Sequence, residues 1–126
     1  MAKAQTDFGY NSSATFKLRF NAGTQIHGAT APFLYSQDLS RPDANNQTIA
    51  DIITSYWISF VLYNDPNPLR APNAPFWPSY RGDPEGPVAF NELAITYTDI
   101  FVETDLQNSP ACDFFNAEGY LSFGMY

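Results

Sequence analysis

One cysteine, one histidine and six basic residues are all that this 126-residue chain holds of those types, and each scarcity closes off a class of chemistry. Cys112 alone cannot form an internal disulfide, and one thiol with one imidazole, His27, is too few ligands for a zinc site. No metal or organic cofactor is called for. Six Lys and Arg against thirteen Asp and Glu leave a formal charge of -7, the wrong sign for tracking phosphates, so nucleic acid is not an expected partner. Long hydrophobic runs are missing too. The most apolar stretch, Ile49 to Tyr63, is broken by Asp51, Thr54, Ser55 and Ser59 and falls short of the ~20 residues of a membrane span. Met1 to Tyr10 contains no apolar core of a signal peptide. There is no internal repeat and no low-complexity tract.

What is present is apolar and aromatic. Hydrophobic residues make up 44% and aromatics 17% against 15% charged, a composition that expects burial and excludes a disordered, solvating segment. The length suits one small domain. Charge is uneven: all six basic residues lie at or before Arg81, whereas eight acids from Asp83 to Glu118 stand with no Lys or Arg among them. The expected fate of these acids is a solvated face. Asn11-Ser12-Ser13 and Asn46-Gln47-Thr48 fit the N-glycosylation triplet. Arg81-Gly82-Asp83 is read as a turn between prolines, not as an adhesion signal.

Ala14, Phe16, Leu18 and Phe20 alternate with Thr15, Lys17 and Arg19, a period of two that predicts a strand. Asn21-Ala22-Gly23 ends it, and the loop that follows contains His27-Gly28. From Thr48 to Tyr63, Ile49, Ile52, Ile53, Tyr56, Trp57 and Phe60 recur at helical spacing and predict one amphipathic helix packed by that stripe. Asn45, Asn46 and Thr48 are candidate N-caps, and Asn64 followed by Asp65-Pro66 supplies the stop. Seven of the ten prolines fall between Pro66 and Pro87, so this stretch is a surface strap, pinned by Phe76 and Trp77. Val88 to Phe90 and Ala94 to Val102 are candidate extended segments, and Pro110 to Asn116 one or two helical turns. One strand and one helix do not close a core, so the helix stripe needs a surface to cover.

The order of these segments resembles a known family. Phe16 to Phe20, then Gly23 to Gly28 with His27, then Pro32-Phe33-Leu34-Tyr35 look like the histidine segment of the type-B carboxylesterases and lipases. Tyr56-Trp57-Ile58-Ser59-Phe60, Asn64-Asp65-Pro66-Asn67 and Trp77-Pro78 follow in the family's order. The resemblance is clearest over residues 16–90, with a weaker echo near Cys112 to Asn116, and treats residues 1–126 as one partial domain. It implies an α/β class: the C-terminal fragment of an α/β-hydrolase fold with one core strand, a histidine loop, an amphipathic helix and a Pro-rich strap over 66–87. It also implies that His27 is the triad histidine, passing a proton from the nucleophilic serine to the leaving alcohol. Thr30 stands where the family often has an acid, and Asn64 where it often has glycine.

The nucleophile elbow G-x-S-x-G and a triad acid are missing. Before the histidine there are only Ser12, Ser13 and Asp7, and Gly119 to Gly124 has the wrong spacing. The expected function is therefore the C-terminal part of a carboxylic-ester hydrolase, secreted in its parent and inactive alone, whose ester or lipid substrate needs the missing N-terminal part of the fold. Such a piece is expected to be marginally stable by itself. The alternative is a non-catalytic module in which Phe33, Tyr35, Phe76 and Trp77 line a groove for an apolar ligand or partner. Assayed on a short-chain nitrophenyl ester, the chain alone is expected to show no more turnover than free imidazole. Activity titrated by a serine-directed phosphonate would reveal an overlooked nucleophile.

Overall fold

A computed structural model describes residues 15–23, 26–35, 44–83 and 85–106. It contains β1 (Leu18–Asn21), α1 (Ala31–Tyr35), α2 (Ala44–Tyr63), β2 (Asn91–Thr96) and β3 (Ile100–Thr104). The single core strand expected from the sequence is corrected to a three-stranded sheet of order β1-β2-β3. β1 pairs with β2 in parallel, Leu18 opposite Leu93 and Phe20 opposite Ile95. β2 pairs with β3 antiparallel, Leu93 opposite Val102. Regular pairing in β1 begins at Leu18, yet the extended run before it is also engaged: the Leu93 N–H donates to the Lys17 carbonyl at 2.9 Å and the Tyr80 N–H to that of Thr15 at 2.7 Å. The segment read as one extension from Ala94 to Val102 is two strands folded at Thr96–Asp99.

Two parallel strands cannot be joined by a hairpin. The chain between Asn21 and Asn91 crosses over one face of the sheet, and α2 is the body of that crossover. Leu93 and Ile95, fully buried, meet Ile49, Ile52, Ile53 and Tyr56 of α2, with Leu18, Phe20 and Ile100 packed around them. α2 starts at Ala44, so Asn45, Asn46 and Thr48 lie inside it instead of capping it. Its end is as expected. Asn64 takes φ 59°, its N–H returns to the Phe60 carbonyl at 2.8 Å, and Pro66 prevents continuation.

The buried stripe is also corrected. Trp57 and Phe60 are each 39% exposed, and the line of burial runs from Tyr56 to Ser59, which is wholly covered. The reason is the strap, whose backbone lies close against this face. Ser59 donates to the Asp65 carbonyl at 2.8 Å and accepts from the Leu69 N–H at 3.1 Å; Ser55 accepts from the Ala71 N–H at 2.9 Å. A small hydroxyl admits a second backbone at this range where an aromatic ring would hold it off. Farther along, the buried amide of Asn67 grips Trp77 at both backbone groups, accepting from its N–H at 2.7 Å and donating to its carbonyl at 2.9 Å. Trp77 is thereby buried among Phe16, Tyr56 and Trp57. Phe76, expected to pin the strap as well, is 59% exposed beneath the Arg70 guanidinium. No described helix is long and apolar enough to cross a membrane.

Asn67→Ala strands the buried N–H and carbonyl of Trp77 and is expected to cost about 2–4 kcal/mol, read as a lowered urea midpoint; Asn73→Ala, exposed on the same strap, should change stability by less than about 0.5 kcal/mol. Tyr56 supplies a pH test. Its buried hydroxyl donates to the Pro75 carbonyl at 2.5 Å, and burial, opposed by the Arg70 charge, pushes its pKa up from 10.0 to about 12. The unfolded phenol ionises first, so this stabilisation is whole below pH 10 and is lost as pH rises toward 12, by about 3 kcal/mol. Tyr56→Phe should flatten that part of the stability–pH curve in alkaline denaturation.

Candidate active-site histidine

β1 delivers the chain to Ala22, which is buried, and Gly23, which turns it at φ 79°. Ile26 to Ala29 then form a β-turn closed by the Ala29 N–H on the Ile26 carbonyl at 3.0 Å. Gly28 holds the third corner at φ 79° with open space where a Cβ would stand, the conformation that a type II turn requires there. His27 holds the second corner, and its ring is exposed to solvent. The His-Gly pair is thus also a statement about backbone shape. Two further bonds, Ala31 N–H to Gly28 and Phe33 N–H to Thr30, at 2.9 and 3.1 Å, run the turn into α1. α1 anchors it: Phe33 packs edge-on against Phe20 of β1 at 5.3 Å, and Leu34 reaches the core.

On the sheet face away from α2, β1 is held by charge. Lys17 lies 3.0 Å from Glu92 and 2.6 Å from Asp105. Arg19 lies 3.4 Å from Glu92, and its Nε donates to Glu103 at 2.6 Å. Tyr80, also buried, donates to the second oxygen of Asp105 at 2.9 Å. Glu92 and Asp105 are 2% and 6% exposed, so two of the acids expected on a solvated face instead tie β1 to β2 and to the end of β3. Partial burial alone would lower the Lys17 pKa, but hydrogen bonds to Asp105 and Glu92, with the charges of both, hold it above the ordinary 10.5. The residues that pair with these acids are the outward half of the alternation in β1.

Because β1 and β2 are parallel, the turn after β2 opens at the same end of the sheet as the turn after β1, where α/β folds place their ligands. Tyr97, on that β2–β3 turn, lines with His27 an open and largely apolar cavity of about 480 Å³, together with Ala22, Ile26, Pro32 and Phe33. Tyr97 was not legible as a site residue; the only signal nearby is Thr96-x-x-Asp99, turn chemistry that brings the strand end around. Among the described residues no group hydrogen-bonds the His27 ring, and no three His, Cys, Asp or Glu side chains are grouped to hold a metal ion. Thr30 contributes its carbonyl to the turn. Asp7, Asn11, Ser12, Ser13, Cys112, the Pro110–Asn116 segment and the Gly119–Gly124 segment lie outside the described residues; Asn46 lies in the first turn of α2.

No protein-family model matches the chain. In an alignment 106 residues long that covers 78% of this chain, it is 30% identical to secreted lipase 4 of Gibberella zeae, and it spans 18% of that protein. Its fold is similar to that of Aspergillus niger EstA, with a TM-score of 0.63 at 20% identity, over 92% of this chain and 24% of the other. The chain therefore has a lipase/esterase-like fold of the α/β-hydrolase kind, and it spans about a fifth to a quarter of the length of these two relatives.

Proposed function

We propose that this chain is the histidine-bearing C-terminal part of a carboxylic-ester hydrolase of the type-B carboxylesterase and lipase kind, with His27 as the general base and acid. The observation that carries this reading is the position of His27: on a turn directly beyond the C-terminal end of a parallel strand, exposed, and opening on an apolar cavity. The likeness to a secreted lipase supports the ester-hydrolase class and export of the complete protein; glycosylation at Asn11 or Asn46 would accord with export.

The nucleophilic serine and the triad acid come from sequence outside this chain. The serine oxygen attacks the ester carbonyl carbon as its proton passes to the His27 ring. As the carbon–oxygen bond to the alcohol breaks, the imidazolium returns that proton to the departing oxygen, leaving an acyl-enzyme. A water activated by the same ring releases the acid. A near-neutral imidazole can serve in both directions, which no other side chain does at its ordinary pKa. Within this chain, the braced strand and the type II turn hold the ring at the cavity.

A second reading, an apolar-binding module without catalysis, draws on a different concavity of about 340 Å³ lined by Phe16, Trp57, Phe60, Val61 and Trp77. One experiment separates the two. The stretch of the Gibberella zeae lipase that matches this chain is replaced by the corresponding part of this chain, and the chimera is assayed on a short-chain nitrophenyl ester. The catalytic reading expects hydrolysis, with kcat lowered by on the order of a thousandfold or more in His27→Ala at unchanged thermal stability. A His27→Ala chimera as active as its parent would sink it.

A further inference from the structure

Resting on the reading of His27 as triad base, we infer that the cavity shared by His27 and Tyr97 seats the apolar alcohol portion of the ester, and that Tyr97 is its specificity-determining wall. The chemistry fixes which half of the substrate lies here. The imidazolium must hand its proton to the departing oxygen, so the alcohol half lies beside the ring, on the side where His27 lines this cavity. The lining fixes its class. Ala22, Ile26, Pro32 and Phe33 offer carbon surface, and Ile26 and Tyr97 are left 68% and 44% exposed at its edge, so an alkyl or aryl group is favoured over a polar one.

Tyr97 suits the role of wall because the turn bearing it is rigid. The Thr96 N–H and hydroxyl both meet the Asp99 carbonyl at 2.9 Å, the Asp99 N–H returns to the Thr96 hydroxyl at 3.0 Å, and the Asp99 carboxylate accepts from the Ile100 N–H at 2.8 Å. These bonds hold the turn while leaving the Tyr97 side chain free of it. Tyr97 also borders a second, more polar concavity of about 170 Å³, beside Thr98, Asn73 and the start of α2's buried stripe. Tyr97 thus borders an apolar space on one hand and a more polar one on the other.

The test uses the full 126-residue chain and its only histidine as reporter. 1-Hexanol is titrated while the His27 ring carbon–proton resonances are followed by NMR; they should shift saturably, and ethanol at equal concentration should move them far less. Tyr97→Ala should weaken 1-hexanol binding by about fivefold or more, Tyr97→Phe should stay within about twofold of the parent, and Leu62→Ala, an exposed position on α2 that lines neither cavity, should bind as the parent does. An imidazole signal that does not move, a shift that never saturates, or Tyr97→Ala binding at parental strength would each overturn the inference. The readout is binding alone, so it fails independently of the chimera assay: hexanol can seat beside a histidine that proves not to be catalytic.

Discussion

Parallel pairing of β1 with β2 is the constraint on which the rest of the structure depends. It forbids a short connection, so about seventy residues must leave the sheet and return on the same side. The histidine turn and the elements that cover the sheet lie on that excursion. The first turn of the crossover carries His27, α2 covers the sheet face, and the strap brings the chain back to Asn91. The pairing also puts two turns at one end of the sheet, which is why a cavity forms between His27 and Tyr97.

Polar groups, used sparingly, decide the details. The strap's prolines lack N–H groups, and side chains supply much of its attachment, Ser55 and Ser59 from α2 and Asn67 on Trp77, beside the backbone bond from Tyr80 to Thr15. Lys17 and Arg19 stand among three carboxylates, two of them nearly buried. Buried ion pairs offer little net stability but make the alternatives costly, since a one-residue slip of β1 would leave Glu92 and Asp105 without cations. Register, and with it the position of the histidine turn, is thereby specified.

Where the chain was legible in sequence, a local rule had no competitor. The alternation from Phe16 to Phe20, the stop at Asn64-Asp65-Pro66, and a histidine loop after the first strand all appear at their places. Of β2 only the second half, from Ala94, was legible as extended; its start was not, because the strand is buried on both faces: Glu-Leu-Ala-Ile has no period of two to find, and its glutamate is buried by virtue of Lys17, seventy-five positions away in sequence. Trp57 and Phe60 fit the helical stripe by spacing but lost the buried side to Ser59, since the strap's closeness is a tertiary fact. Tyr97 carries no local mark at all; its place follows from the strand order. His27 was singled out by resemblance, and the structure adds the geometric reason that glycine follows it.

The most direct test of this account is the neighbour relation of β1 and β2, seen by NMR as short interproton contacts across the sheet in the full chain. Contacts placing Leu18 beside Leu93 and Phe20 beside Ile95 in parallel register, with the Leu93 amide proton protected by the Lys17 carbonyl, are the predicted result. A β2 paired with β3 alone, or a β1 met antiparallel or shifted by one residue, would contradict it, because the histidine turn and Tyr97 would then no longer open on a common cavity.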